Sequence, residues 1–234
     1  MQQYRKLAGQ TVLYGLGTIV PRFLNYVVLT PFYTHIFSQE QYGIVTNLYA
    51  YIVFLLILLT YGLETGYFRF TKAEDNPQKV FSTIMGSLLT TTLLFLLLVI
   101  FFNHPIAHIL EYPDREYLIT LFSFVVAIDA FSAVPFAKLR FEEKAKKFGY
   151  LKIFNVIVNL FFNFLFFIFL PYIENHYPSS FLLNFYDESI GVGYVFISNL
   201  FASLLTLLLL LPEINISPRL IDLKLMKNIL KYSL

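Results

Sequence analysis

Residues 88–102 read LLTTTLLFLLLVIFF, and residues 160–170 read LFFNFLFFIFL. Neither run alternates apolar with polar, as a membrane-barrel strand of about 10 residues would, because such a strand faces lipid and lumen in turn. Both are apolar around the whole circumference of a helix, the pattern of a helix immersed in lipid. The stretches that contain them, residues 80–102 and 150–172, match the roughly 20 residues that an α-helix needs to cross about 30 Å of hydrocarbon.

Four more stretches of this kind flank them: residues 7–37, 42–63, 117–136 and 190–211. Hydrophobic residues make up 57% of the chain and charged ones 14%, where a soluble domain carries about 25% charge. The expected fold is therefore an all-α integral membrane protein, a six-transmembrane-helix bundle over residues 1–212. A cytoplasmic amphipathic connector is expected over residues 213–234. The opening MQQYRKLAGQ has two cations before an apolar run, but that run is too long for a signal-peptide core and no small-x-small cleavage pattern closes it. The chain has no cysteine, which excludes a disulfide framework and a thiolate metal site.

Charge sets the expected orientation. Threading six spans from an inside amino terminus places fifteen of the seventeen Lys and Arg on the cytoplasmic side, leaving Arg115 outside and Arg22 within the membrane. Both ends of the segment are then cytoplasmic. The cations of LRFEEKAKKFGYLK, residues 139–152, are explained by anionic membrane lipids, so nucleic acid is not an expected partner. In the last segment Ser217 and Pro218 form a helix-start pair, and Leu, Ile and Met then mix with Lys at helical spacing. Such an element lies along an interface and connects to something beyond it, which points to a longer protein.

Polar residues inside the spans carry the functional reading. Thr11, Gly15, Thr18, Arg22 and Asn25 share one face of the first span. Arg22 is fifteen residues from Leu7 and fifteen from Phe37, near mid-membrane. An arginine there costs about 2.5 to 3.5 kcal/mol on insertion scales and must face partners or water. Pro21 and Pro31 lack backbone donors and mark sites of kinking. Asn155, Asn159 and Asn163 repeat every fourth residue of the fifth span, either as interhelical glue or as a cavity wall. Asp129, with Ser132 one turn on, marks the inward side of the fourth span, as a proton or cation site or as a partner for a neighbouring helix. Glu64 and Arg69 close the second span. His104 and His108 have the spacing of helical metal ligands, but Pro105 lies between them and no third ligand is evident. No phosphate loop, nucleophile elbow or hydrolase carboxylate pair appears. Kinked helices with polar inward faces and short loops suggest a transporter, not an enzyme, with no cofactor or metal.

Three segments carry a resemblance: the first span running into YTHIFSQEQYG (33–43), the second ending TYGLETGYFRF (60–70), and PFAKLRFEEKAKKFGYLKIFNVIVN (135–159). In this order the chain resembles the oligosaccharide flippase (polysaccharide biosynthesis protein) family of the multidrug/oligosaccharidyl-lipid/polysaccharide exporter superfamily. The resemblance implies one of the two six-helix bundles of a MATE-like alternating-access transporter, the second bundle lying in the full-length chain or, alternatively, being supplied by a second copy. It also implies a cargo, an oligosaccharide on undecaprenyl diphosphate, moved across the cell inner membrane from the cytoplasmic to the periplasmic leaflet for surface polysaccharide such as O-antigen or capsule. On that reading Arg22 binds the diphosphate, Asn25, Asn155, Asn159 and Asn163 offer hydrogen bonds to sugar, and Asp129 or Glu64 couples transport to a proton or sodium gradient. The alternatives are a cation-coupled multidrug antiporter, a peptidoglycan-precursor flippase and, more distantly, a membrane-embedded glycosyltransferase.

Overall fold

The computed structural model describes residues 14–233 apart from 16, 18 and 22. Arg22, Thr11 and Thr18 lie outside the described residues, as does the side chain of Asn25. The described chain is all helical, without strands. Five of its helices are long and apolar enough to cross a membrane: Gln39–Ala73, Pro77–Phe101, Glu116–Phe141, Ala145–His176 and Gly193–Glu213. The described part of the first span holds a shorter apolar helix, Val27–Ile36.

The first span contains a π-helical turn, Asn25–Leu29, and continues as α1, Thr30–Ile36. Pro31 cannot donate to the carbonyl four residues earlier, and the wider turn spans that gap. The fifth span repeats the device. Helix α7, Ala145–Phe164, passes through a π turn, Leu165–Phe169, into α8, Leu170–His176, where Pro171 stands at the start. The two π turns belong to adjacent spans, and the rings of Phe32 and Phe164 meet edge to face at 4.9 Å.

The second span is broken in a different way. Helix α2, Gln39–Thr60, starts at Ser38, whose hydroxyl accepts from the Gln41 amide while the Gln41 side chain accepts from Ser38 N–H. It ends at Tyr61 (φ 30°) and Gly62 (φ 71°), both left-handed, after which α3 runs from Leu63 to Ala73. Helix α4, Pro77–Phe101, begins with Asn76 capping two amides and Pro77 in the first turn. A short α5, Asn103–Ile109, leads to α6, Glu116–Phe141, and α9, Gly193–Leu210, forms the last span. Of the five long helices α6 is the most enclosed, with 56% of its apolar window buried, which makes it the post around which the others stand.

Among the described residues two apolar clusters hold most of the buried core, with two smaller ones beside them. At the Lys- and Arg-poor end, Leu48, Ile52, Leu118, Ile119, Phe122 and Phe196 are buried together. At the basic end Leu63, Tyr67, Phe81, Met85 and Ile229 form the second cluster. Ile229 belongs to α10, Leu223–Ser233, whose buried face is Leu225, Met226 and Ile229. The segment expected to lie along the interface is thus docked on α3 and α4. Gly66 permits this contact, because a Cβ there would stand 2.7 Å from both Ile229 Cγ2 and Ser233 Oγ. Asp222 caps α10 and pairs with Lys79 at 2.7 Å, and the Arg69 guanidinium lies 4.0 Å over the Tyr232 ring.

Candidate functional site

Residues three and four apart stack on one face of a helix, and α6, α7 and α9 each turn a polar row of this kind toward a common space. Asp129, Ser132 and Phe136 come from α6, Lys152 and Asn155 from α7, and Ser203 and Thr206 from α9. With Thr60 of α2 and Glu64 of α3 they line a cleft of about 520 Å³ in the basic half of the bundle. A second cleft of about 460 Å³ lies in the other half, between the first span (Tyr33), α2 (Tyr42, Thr46, Tyr49), α7 (Asn155, Asn159) and α9 (Asn199). Asn155 borders both. The polar wall is therefore made by the first, second, fourth, fifth and sixth spans, and α4 contributes to neither cleft.

The groups in the wall differ in how fully they are engaged. The Ser203 hydroxyl donates to Asp129 Oδ1 at 2.6 Å. Asn155 Nδ2 donates to Thr206 Oγ1 at 3.1 Å, and Thr206 in turn donates to the Ala202 carbonyl. Asn155 therefore keeps its amide oxygen as an acceptor. The Lys152 ammonium lies 3.9 Å over the Phe136 ring, an attraction that helps to hold the cation at the cleft edge. Ser132 Oγ is buried with no hydrogen-bond partner. Glu64 accepts an ion pair from Arg140 and so brings little net charge to the cleft.

The asparagine row splits. Asn163 is fully buried: the Tyr33 hydroxyl donates to its Oδ1 at 2.7 Å, and its Nδ2 donates to the Asn159 carbonyl and side chain at 2.8 and 3.1 Å. It ties the first span to α7 and lines neither cleft, whereas Asn155 and Asn159 form wall. Sequence alone does not single out Lys152, which reads as one of the interface cations of the preceding loop. The signal was present in the spacing, since Lys152 precedes Asn155 by three residues and Asn159 by seven, on the same helical face. The Arg140 partner of Glu64, seventy-six residues away, left no such signal. Among the described residues no group of three or more His, Asp or Glu could hold a metal ion.

The model of the polysaccharide biosynthesis protein family matches residues 7–234. The chain belongs to this family. Neither the curated proteins nor the solved structures gave a match. Family and architecture together make this chain a multi-pass membrane bundle of polysaccharide biosynthesis. Within it the two clefts provide an ammonium, a carboxylate and amide oxygens along one wall that runs through both halves.

Proposed function

We propose that this chain is one six-helix wall of a flippase for lipid-linked oligosaccharide, carrying an undecaprenyl-diphosphate-linked repeat unit from the cytoplasmic to the periplasmic leaflet of the cell inner membrane. The observation that carries the reading is the gathering of Lys152, Asp129, Asn155 and Asn159, from two different helices, on one wall that spans two clefts. A diphosphate crossing hydrocarbon needs compensation for its charge and water for its sugars. Lys152 meets the phosphates in the basic, cytoplasmic half, and Arg22, at mid-membrane by sequence, receives them next with a bidentate fork. Asn155 and Asn159 offer sugar hydroxyls hydrogen-bonding groups as the head group passes between the clefts. The lipid tail stays in the bilayer.

Because Arg140 already pairs with Glu64, Asp129 is the carboxylate we assign to coupling with a proton or sodium gradient. A second six-helix bundle stands across the clefts and completes the cavity. Alternating access uses the π turns of the first and fifth spans and the Tyr61–Gly62 break of the second as bending points. Asp129 is the one feature that favours a multidrug antiporter. The ammonium of Lys152 in the same cleft opposes a cationic drug.

The test is export in a cell that lacks its own copy of the full-length protein. Arg22→Ala and Lys152→Ala are each expected to abolish surface polysaccharide at unchanged protein level. Normal export by both variants would overturn the reading.

A further inference from the structure

A third cavity, about 400 Å³, opens at the end of the bundle opposite the basic one, between the end of the first span, α8 and the loop before α9. Four aromatic rings line it, Phe37, Phe167, Tyr186 and Tyr194, beside Ile36 and Pro171. The rings form an ordered column. Tyr194 stacks on Phe166 with centroids 4.3 Å apart and planes 19° from parallel, and Tyr186 stacks on Tyr194 at 5.5 Å and 13°. The Tyr194 hydroxyl accepts from the Asp187 amide at 2.8 Å, which pins the loop carrying Tyr186 to the bundle. The cavity is thereby preformed and not left to a free loop.

Its rim is polar and richest in acceptors. Glu174 and Glu188 pair with no cation among the described residues. Asn175 uses its Nδ2 on the Pro171 carbonyl, leaving its amide oxygen, and Gln41 uses its oxygen on Ser38, leaving its amide hydrogens. Burial first, and then the carboxylate of Glu174, push the Tyr186 phenol up to about 12, so it stays a neutral donor. Acceptor oxygens around an aromatic face suit a ligand that is apolar on one face and rich in hydroxyl donors at its edge. A sugar ring has this character. A phosphate or an acidic sugar would be repelled by the two carboxylates.

We propose that this cavity is a saccharide-binding site that takes an uncharged sugar ring of the cargo, separate from the clefts that handle its charged head. Phe37 lines it, and Tyr33, whose ring is 5.5 Å from that of Phe37, lines the neighbouring cleft. One aromatic contact therefore separates the outer cleft from the site, which places it where the glycan leaves the bundle. The inference takes the source of the sugar from the export reading, and the ligand class from the cavity itself.

The test uses the full-length protein in nanodiscs and, as probe, the oligosaccharide released by mild acid from the producing cell's own lipid carrier. Saturation-transfer NMR and calorimetry are expected to show binding. Tyr186→Ala, and separately the double variant Glu174→Gln with Glu188→Gln, should each weaken it about tenfold, the scale of one lost stacking face or of two hydrogen bonds reduced from charged to neutral acceptors. The double variant removes groups that hold no ion pair, so it remains informative if Tyr186→Ala folds poorly. Binding that is absent, or unchanged in the double variant, would overturn the proposal, as would calcium displacing the oligosaccharide from the wild type. Transport of the lipid-linked substrate is measured on the same wild-type protein. Transport without oligosaccharide binding sinks the site and leaves export standing, while binding without transport sinks export and leaves the site.

Discussion

The charges around Glu213 and those around Asp129 lie in the same basic half of the bundle and behave in opposite ways. The Glu213 carboxylate, only 9% exposed, receives Lys144 at 2.9 Å and Lys147 at 2.7 Å, and its backbone carbonyl receives Lys138 at 2.8 Å. Every strong group there is spent on holding the end of the last span to the turn between α6 and α7. Asp129 receives a single hydroxyl and faces a cleft of about 520 Å³ together with Lys152. Ionisable residues in a membrane protein either close on each other or line open space, and the space they face separates the two cases better than residue type or depth does.

Five substitutions test that separation, and the first has the largest expected effect. Lys152→Ala should lower export at least about a hundredfold, the scale of about 3 kcal/mol for a charge that faces a diphosphate. The thermal midpoint of the purified protein should stay within a few degrees of wild type. A collapse of stability instead would move Lys152 into the structural class. Glu213→Ala should do the reverse, costing about 1 to 3 kcal/mol of stability, less than a fully buried pair because the lysines are part exposed. Export per folded molecule should hold in a quantitative blot-normalised assay.

The third comparison lies within one helix. Asn163→Leu breaks the tie to Tyr33 and should lower the melting temperature by the equivalent of about 1 to 2 kcal/mol, whereas Asn155→Leu should leave melting nearly unchanged and slow export. The smallest effect is at the connector. The hydrogen bond from Lys79 holds the Asp222 carboxyl at about 2, below its ordinary value, so its contribution is present above about pH 4 and fades as acid is added toward pH 2. Hydrogen exchange of the Leu225–Ile229 amides should therefore be flat between pH 5 and 7 after correction for intrinsic rates. Asp222→Asn should raise it across that range, because the pair with Lys79 is gone at every pH.

The spans were legible because lipid imposes one requirement, about 20 apolar residues with every backbone group bonded within its own segment. The bend at Pro31 was legible for a similar reason, since a missing N–H is a local fact. Its form, a π turn matched by a second one before Pro171, depends on how two neighbouring spans pack and could not be read locally. The break at Tyr61 and Gly62 had no proline to announce it. Gly62 there also admits the close approach of α10, since a Cβ on it would meet the Ser233 carbonyl oxygen at 2.5 Å. In the candidate site, periodicity gave the face of the asparagine row but not what the face meets, so Asn155 and Asn163 looked alike. Lys152 was hidden by its neighbours in sequence, six cations between Lys138 and Lys152 that read as one interface cluster.

The central claim is that Asn155 stands at a water-filled passage while Asn163, two turns away, does not. The chain has no cysteine, so in a full-length background freed of any cysteine elsewhere Asn155→Cys and Asn163→Cys each introduce the sole thiol. Labelling of full-length protein in membranes with a water-soluble, thiolate-specific reagent reads out water at each position, because only a hydrated thiol ionises and reacts. The account predicts rapid labelling at 155, slowed by added lipid-linked oligosaccharide, and no labelling at 163 without denaturant. Equal labelling at both positions, or an inert thiol at 155, would contradict it.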